Sequence, residues 1–131
     1  MSIQLNGTFQ ITAWDESPYN QNDDGSKQVL AKVTQIYSGD IEGASELQYL
    51  MAYSTSGAAM FVGLETLTGT INGKSGSFII KHEGKFEAGV ASSNFTIVPN
   101  SGTNELVGIV GTGSFKSGES GQADYSFEIN A

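Results

Sequence analysis

Ala58-Ala59-Met60-Phe61-Val62-Gly63-Leu64-Glu65-Thr66-Leu67-Thr68-Gly69-Thr70-Ile71-Asn72-Gly73, followed by Ser77-Phe78-Ile79-Ile80-Lys81-His82-Glu83-Gly84-Lys85-Phe86, is the stretch that decides the fold. Two strand-like segments flank Asn-Gly, the pair that a two-residue hairpin turn demands, because both of its central positions take positive φ. Counting by twos along 77–86 puts Phe78, Ile80, His82, Gly84 and Phe86 on one face and Ser77, Ile79, Lys81, Glu83 and Lys85 on the other. The second face is mostly solvent-like, so His82 is expected to point inward. Glu65 is in phase with Phe61, Gly63, Leu67 and Gly69 on the most apolar segment of the chain. In a hairpin turned at Asn72-Gly73, partner numbers add to about 145, which sets Glu65 opposite Ile80 and one diagonal step from His82. A buried carboxylate must be partnered or protonated. The register therefore predicts a buried Glu65–His82 contact.

The rest of the chain repeats this pattern of alternating segments and turn chemistry. Phe9, Ile11 and Ala13 share a face opposite Thr8, Gln10 and Thr12, and a long polar loop is expected over Glu16–Gly25. Val29–Ile41 reads as the second strand, with Gly39 and Gly43 available for bending. Glu46–Tyr53 is the third, with Leu47, Tyr49, Met51 and Tyr53 on one face. After the hairpin come Val90–Val98, Gly111–Phe115 and Ala123–Ile129, the last two separated by a Gly/Ser loop. Residues 103–109 read as a short helical turn capped by Thr103. Eight strands without a covering helix have an edge problem that closure solves, so the chain is expected to form a single all-β domain over 1–131, a closed antiparallel eight-stranded barrel. A two-sheet sandwich is the alternative. A barrel of this size has an interior that side chains fill or that holds one small ligand.

Composition narrows the function. Seventeen glycines and two prolines among 131 residues suit strands and tight turns. Fourteen acidic residues against six basic ones leave a formal charge of −8, which would repel a phosphate backbone or an anionic membrane surface; neither nucleic acid nor membrane is an expected partner. With no cysteine and one histidine, no disulfide or transition-metal site is expected, and no cofactor. No Gly-x-Gly-x-x-Gly opens a helix, and no phosphate-binding loop or nucleophile elbow is found. The start of the chain lacks a basic segment followed by an apolar one, which points to a cytoplasmic protein. Segment 58–71 is apolar on both faces, with Met60, Val62 and Leu64 opposite Phe61 and Leu67. A covered outer face, and so a homo-oligomer with a dimer favoured, is expected from it. Cover by a terminal segment or loop is the alternative.

Several motifs together resemble one family. They are Met51-Ala52-Tyr53 with Gly57, Phe61-Val62-Gly63-Leu64-Glu65 with Gly69, Gly76-Ser77-Phe78, and His82-x-Gly84. The late Ser101-Gly102-Thr103-x-Glu105-Leu106-x-Gly108-Ile109, Asp40-Ile41-Glu42-Gly43, Thr8-Phe9 and Trp14-Asp15 also fit. Over essentially its whole length the chain resembles the uncharacterised bacterial domain-of-unknown-function family 3224. That resemblance implies a fold like the allene oxide cyclase-like barrels, which include dirigent-type proteins. Those barrels hold apolar small molecules, and some guide cyclisation or coupling of a reactive intermediate. The family itself supplies no catalytic residue to carry over, and fold alone does not transmit function.

The residues singled out are therefore those that look unlike packing. Glu65 and His82 are the candidate acid/base pair, with a satisfied structural pair as the plainer alternative. Tyr49, Met51, Tyr53, Phe61 and Phe78, together with Glu65 and His82, are candidates for the wall of a ligand site, since a tyrosine ring supplies area and its hydroxyl orientation. Trp14, counted onto the face of Gln10 and Thr12, would lid a barrel end or join an interface. Asp23-Asp24 reads as a solvated turn rather than a calcium loop. Three functions remain: a barrel that binds an apolar or aromatic molecule, an isomerase or cyclase using the Glu/His pair for proton transfer, and a filled barrel whose role is assembly.

Overall fold

In the computed structural model, which describes residues 2–117 and 121–130, eight antiparallel strands close into one barrel in chain order, β1 pairing with both β2 and β8. The strands are β1 (Ser2–Gln21), β2 (Lys27–Gly39), β3 (Ile41–Tyr53), β4 (Ala59–Ile71), β5 (Lys74–Glu87), β6 (Val90–Ile97), β7 (Val110–Ser117) and β8 (Gln122–Asn130). Alternation is the reason: inward positions such as Val29, Ala31, Val33 on β2 and Leu47, Tyr49, Met51 on β3 are buried, and their neighbours are not. The β4–β5 hairpin turns at Asn72 (φ 51°) and Gly73 (φ 79°), both in the left-handed region as an Asn-Gly turn requires. Its register sets Glu65 against Ile80 and Gly63 against His82, as the turn predicts.

Four local expectations are corrected. The span Glu16–Gln21 is strand, not loop, and only residues 22–26 turn the chain. These strand residues are almost all exposed, so no hydrophobic alternation marks them; the backbone ladder to β2 holds them in place. A register shift between Ile11 and Ala13 makes Thr12 a bulge, which reverses the phase and brings Trp14 opposite the buried Val33. Strand β2 ends at Gly39 and β3 already begins at Ile41, with Gly39 (φ 101°) at the corner. The expected turn at 103–109 is a single 3₁₀ turn, Asn104–Leu106, and Thr103 does not cap it with its side chain. Its hydroxyl instead accepts from the Ser77 amide at 3.0 Å, tying the turn to β5. Residues 118–120 of the Gly/Ser loop lie outside the described residues.

The barrel interior is layered. At the end beside the 3₁₀ turn, Leu106 and Ile109 join Phe78, Ile80, Ile97 and Phe127 in a filled apolar core. Tyr125 fastens the wall there, its hydroxyl accepting from the Ile41 amide at 2.9 Å and donating to the Ser38 carbonyl at 2.8 Å. Glu65, His82 and Ser93 form a buried polar layer above. Beyond them the barrel opens.

Candidate functional site

Two arrangements stand out in the interior. The first is a hydrogen-bonded chain across four strands. The Tyr37 hydroxyl (β2) donates to Glu65 Oε2 (β4) at 2.6 Å; Glu65 Oε1 lies 2.6 Å from His82 Nε2 (β5); and His82 Nδ1 lies 3.0 Å from Ser93 Oγ (β6). Glu65 is 1 % and His82 2 % exposed. Proton counting fixes the roles. Ser93 Oγ also reaches the Asn94 and Glu83 carbonyls, which only accept, so its own proton goes there and His82 Nδ1–H donates to it. One proton is left for the 2.6 Å gap between Glu65 and His82. Placed on either side, it leaves the pair with no net charge, which is how two ionisable groups tolerate this burial. Burial first, and the Glu65 carboxylate second, push the Tyr37 phenol well above its ordinary value; burial does the same to Tyr49.

Those tyrosines predict how stability varies with pH. In the unfolded chain a tyrosine ionises near pH 10. In the barrel Tyr37 and Tyr49 keep their protons beyond that point. Below pH 10 both states are protonated and the contribution is complete; as pH rises above 10 only the unfolded chain releases protons, so stability falls. Urea midpoints should hold steady from pH 7 to 9 and drop between 10 and 11.5. A midpoint unchanged through pH 11.5 would contradict this account of the two phenols.

The second arrangement is a cavity of about 450 Å³ at the open end of the barrel. Phe9, Tyr49, Met51, Phe61, Phe86 and Phe115 are the large apolar side chains of its wall, and Trp14 stands at its rim. Trp14 is held by Glu16, whose Oε2 accepts from the indole N–H at 2.8 Å, and by its ring contact with Tyr49 at 6.4 Å between centroids. Partial burial, and then the same Glu16 carboxylate, push the Tyr53 phenol up to about 12. Among the described residues no side chain that lines the cavity carries a charge.

Of the candidate wall residues, Tyr49, Met51, Tyr53 and Phe61 line this cavity; Glu65, Phe78 and His82 do not. Phe78 belongs to the filled end, edge-on to Phe127 at 6.5 Å. The His82 ring is enclosed by Phe95 at 5.1 Å and by Tyr49 and Phe115, each at 5.7 Å. Because Tyr49 and Phe115 also face the cavity, the Glu65–His82 pair lies directly beneath its floor. Gly63 makes this stacking possible. It sits between Tyr49 and His82 in the ladder, and a Cβ there would lie 2.2 Å from the Gln48 carbonyl and 2.7 Å from the Tyr49 ring.

Sequence reading missed Tyr37, Ser93 and Gln35. The same hairpin arithmetic about Ala88-Gly89 sets His82 against Phe95, which puts Ser93 one diagonal step away. Gln35 was visible as a polar residue in phase with Val29, Ala31, Val33 and Tyr37 on an otherwise apolar face. Among the described residues no three His, Asp or Glu side chains gather as a metal site would need, and no helix is long and apolar enough to cross a membrane.

Comparison with known proteins gives a consistent result. Residues 5–129 match the family model described as protein of unknown function DUF3224. A crystal structure at 1.84 Å resolution of a DUF3224 protein of unknown function from Shewanella oneidensis MR-1 superposes with a TM-score of 0.80. It shares 28% identity, over 99% of this chain and 97% of that one. None of the curated proteins matches.

Proposed function

We propose that this chain, which belongs to the DUF3224 family of proteins of unknown function, is a small-molecule-binding barrel that takes an apolar or aromatic guest into its open end. The observation that carries this reading is the cavity: about 450 Å³, walled by aromatic rings, and within the size range of small-ligand sites. A barrel meant only to be filled would close this end as it closes the other, where Leu106 and Ile109 join the core. Proton transfer by Glu65 and His82 is less well supported, because the rings of Tyr49 and Phe115 separate the pair from the cavity. A guest that binds only the folded barrel raises its melting temperature, by an amount that grows with the logarithm of its concentration relative to Kd. A melting screen with 1-tetralone, other aryl ketones, phenols and terpenoids should find stabilisation of several degrees. Stabilisation by none of them overturns the reading.

Assembly as a homodimer is the second part of the proposal. On the outer wall Leu50, Val62, Leu64 and Met60 are 51 %, 51 %, 56 % and 70 % exposed, and neighbouring rungs of β3 and β4 make them one patch. Apolar patches of this kind mark contact surfaces. A chain of charge −8 repels its own copy, and burial of this apolar patch has to outweigh that repulsion. Its rim carries both signs: Lys32 and Lys81 end the rung that holds Leu64 and Lys85 pairs with Met60, while Glu83 pairs with Val62, Asp15 with Lys32, and Glu87 with Lys85 at 3.6 Å. Sedimentation equilibrium should give twice the chain mass for wild type and the single-chain mass for Val62→Lys, with unchanged circular dichroism. A monomeric wild type at 100 µM would refute it.

A further inference from the structure

The cavity is apolar but not featureless, and two deeply buried polar groups in its wall lack a good partner among the described residues. Gln35 is 3 % exposed, and its only hydrogen bond among the described residues is a long one, from Ser45 Oγ to Oε1 at 3.5 Å. Its Nε2 makes none among those residues. Tyr49 is likewise 3 % exposed, and its hydroxyl makes no hydrogen bond among the described residues. Neither group is sealed off, since among the described residues no buried side-chain N or O atom is without a partner. Both therefore reach open space, and the space they share is the cavity. The other polar side chains around it are engaged. Trp14 donates to Glu16, the Tyr53 phenol interacts with the same carboxylate, and Ser117 Oγ takes the Ala91 amide and donates to its carbonyl.

Resting on the binding reading above, we propose that Gln35 Nε2 and the Tyr49 hydroxyl are specificity-determining donors for an uncharged carbonyl compound. Gln35 Nε2 only donates and the Tyr49 hydroxyl has a proton to donate beside it, so the atom that satisfies both is an acceptor with two lone pairs, as a ketone, ester or amide oxygen supplies. Among the described residues the lining has no cation to balance a carboxylate, and Glu16 and Glu65 lie just beyond the rim and the floor. An anionic guest would lose its hydration without compensation. A hydrocarbon guest would enter but leave both donors unsatisfied, the situation in which binding sites discriminate most strongly.

Isothermal titration of wild type, Gln35→Met and Tyr49→Phe with three probes of one shape tests this: 1-tetralone, tetralin and 1,2,3,4-tetrahydro-2-naphthoate. Wild type should bind 1-tetralone about tenfold more tightly than tetralin, and the carboxylate least of the three. Each substitution should weaken 1-tetralone roughly fivefold and leave tetralin unchanged, with folding confirmed by circular dichroism. Equal affinity of wild type for tetralin and 1-tetralone overturns the inference while the binding reading stands. So does tightest binding of the carboxylate, or a parallel loss of both neutral probes in the variants. Binding of no probe overturns both.

Discussion

Glu65→Ala should lower the stability of the barrel by about 3–5 kcal/mol, the usual cost of removing one member of a buried pair. The carboxylate serves two partners at 2.6 Å, and its removal strands the Tyr37 hydroxyl and His82 Nε2 where water does not reach. Glu65→Gln should cost much less, on the order of 1 kcal/mol, because an amide accepts from Tyr37 through its oxygen and donates to a neutral imidazole through its nitrogen. The double variant Glu65→Leu/His82→Phe should be more stable than the sum of its single changes predicts, since neither group is then left alone. Urea denaturation of wild type, these three variants and the single variants Glu65→Leu and His82→Phe reads all of this. A Glu65→Ala midpoint equal to wild type would show that the chain from Tyr37 to Ser93 holds nothing together.

Gly63→Ala should cost about 3 kcal/mol, from a single added methyl group. The new Cβ would meet the Gln48 carbonyl at 2.2 Å, and backbone in a paired strand cannot move aside cheaply. It would also strike the Tyr49 ring, whose edge-on contact with His82 forms the floor of the cavity. Loss of stability should therefore come with loss of guest binding. Gly73, which has no atom near the position of its Cβ, is no control, because its φ of 79° makes any side chain strained there. Ser75, an exposed residue at the start of β5, serves better, and Ser75→Ala should stay within 0.5 kcal/mol of wild type. Thermal melts of the two variants decide the matter; equal melting temperatures would contradict the packing argument.

Much of this was legible in the sequence, for reasons that particular residues make plain. Period-two alternation wrote the strands, and Asn72-Gly73 fixed a register in which each partner follows by counting. Glu65 and His82 could be paired because both lie within one hairpin. Tyr37 lies 28 residues from Glu65, and its contact depends on how β2, β3 and β4 pass the register along. Nor does a bulge announce itself: Thr12 shifts the phase of β1 by one residue, so counting by twos put Trp14 on the wrong face. The residues from Glu16 to Gln21 are strand because β2 pairs with them, not because burial selected their side chains. The open cavity is also a property of the closed barrel. Phe61, Phe86 and Phe115 look like core residues in sequence, and only the curvature of the wall sets their rings apart.

Intermolecular nuclear Overhauser effects between 1-tetralone and methyl-labelled protein test the central claim most directly. Met51 and Ala91 line the cavity, whereas Met60, Val62 and Leu64 carry their methyl groups on the outer wall. A guest in the open end should give cross-peaks to the Met51 and Ala91 methyls and none to Met60 or Val62. Cross-peaks confined to Met60, Val62 and Leu64 would place the guest on the outer patch and contradict the account.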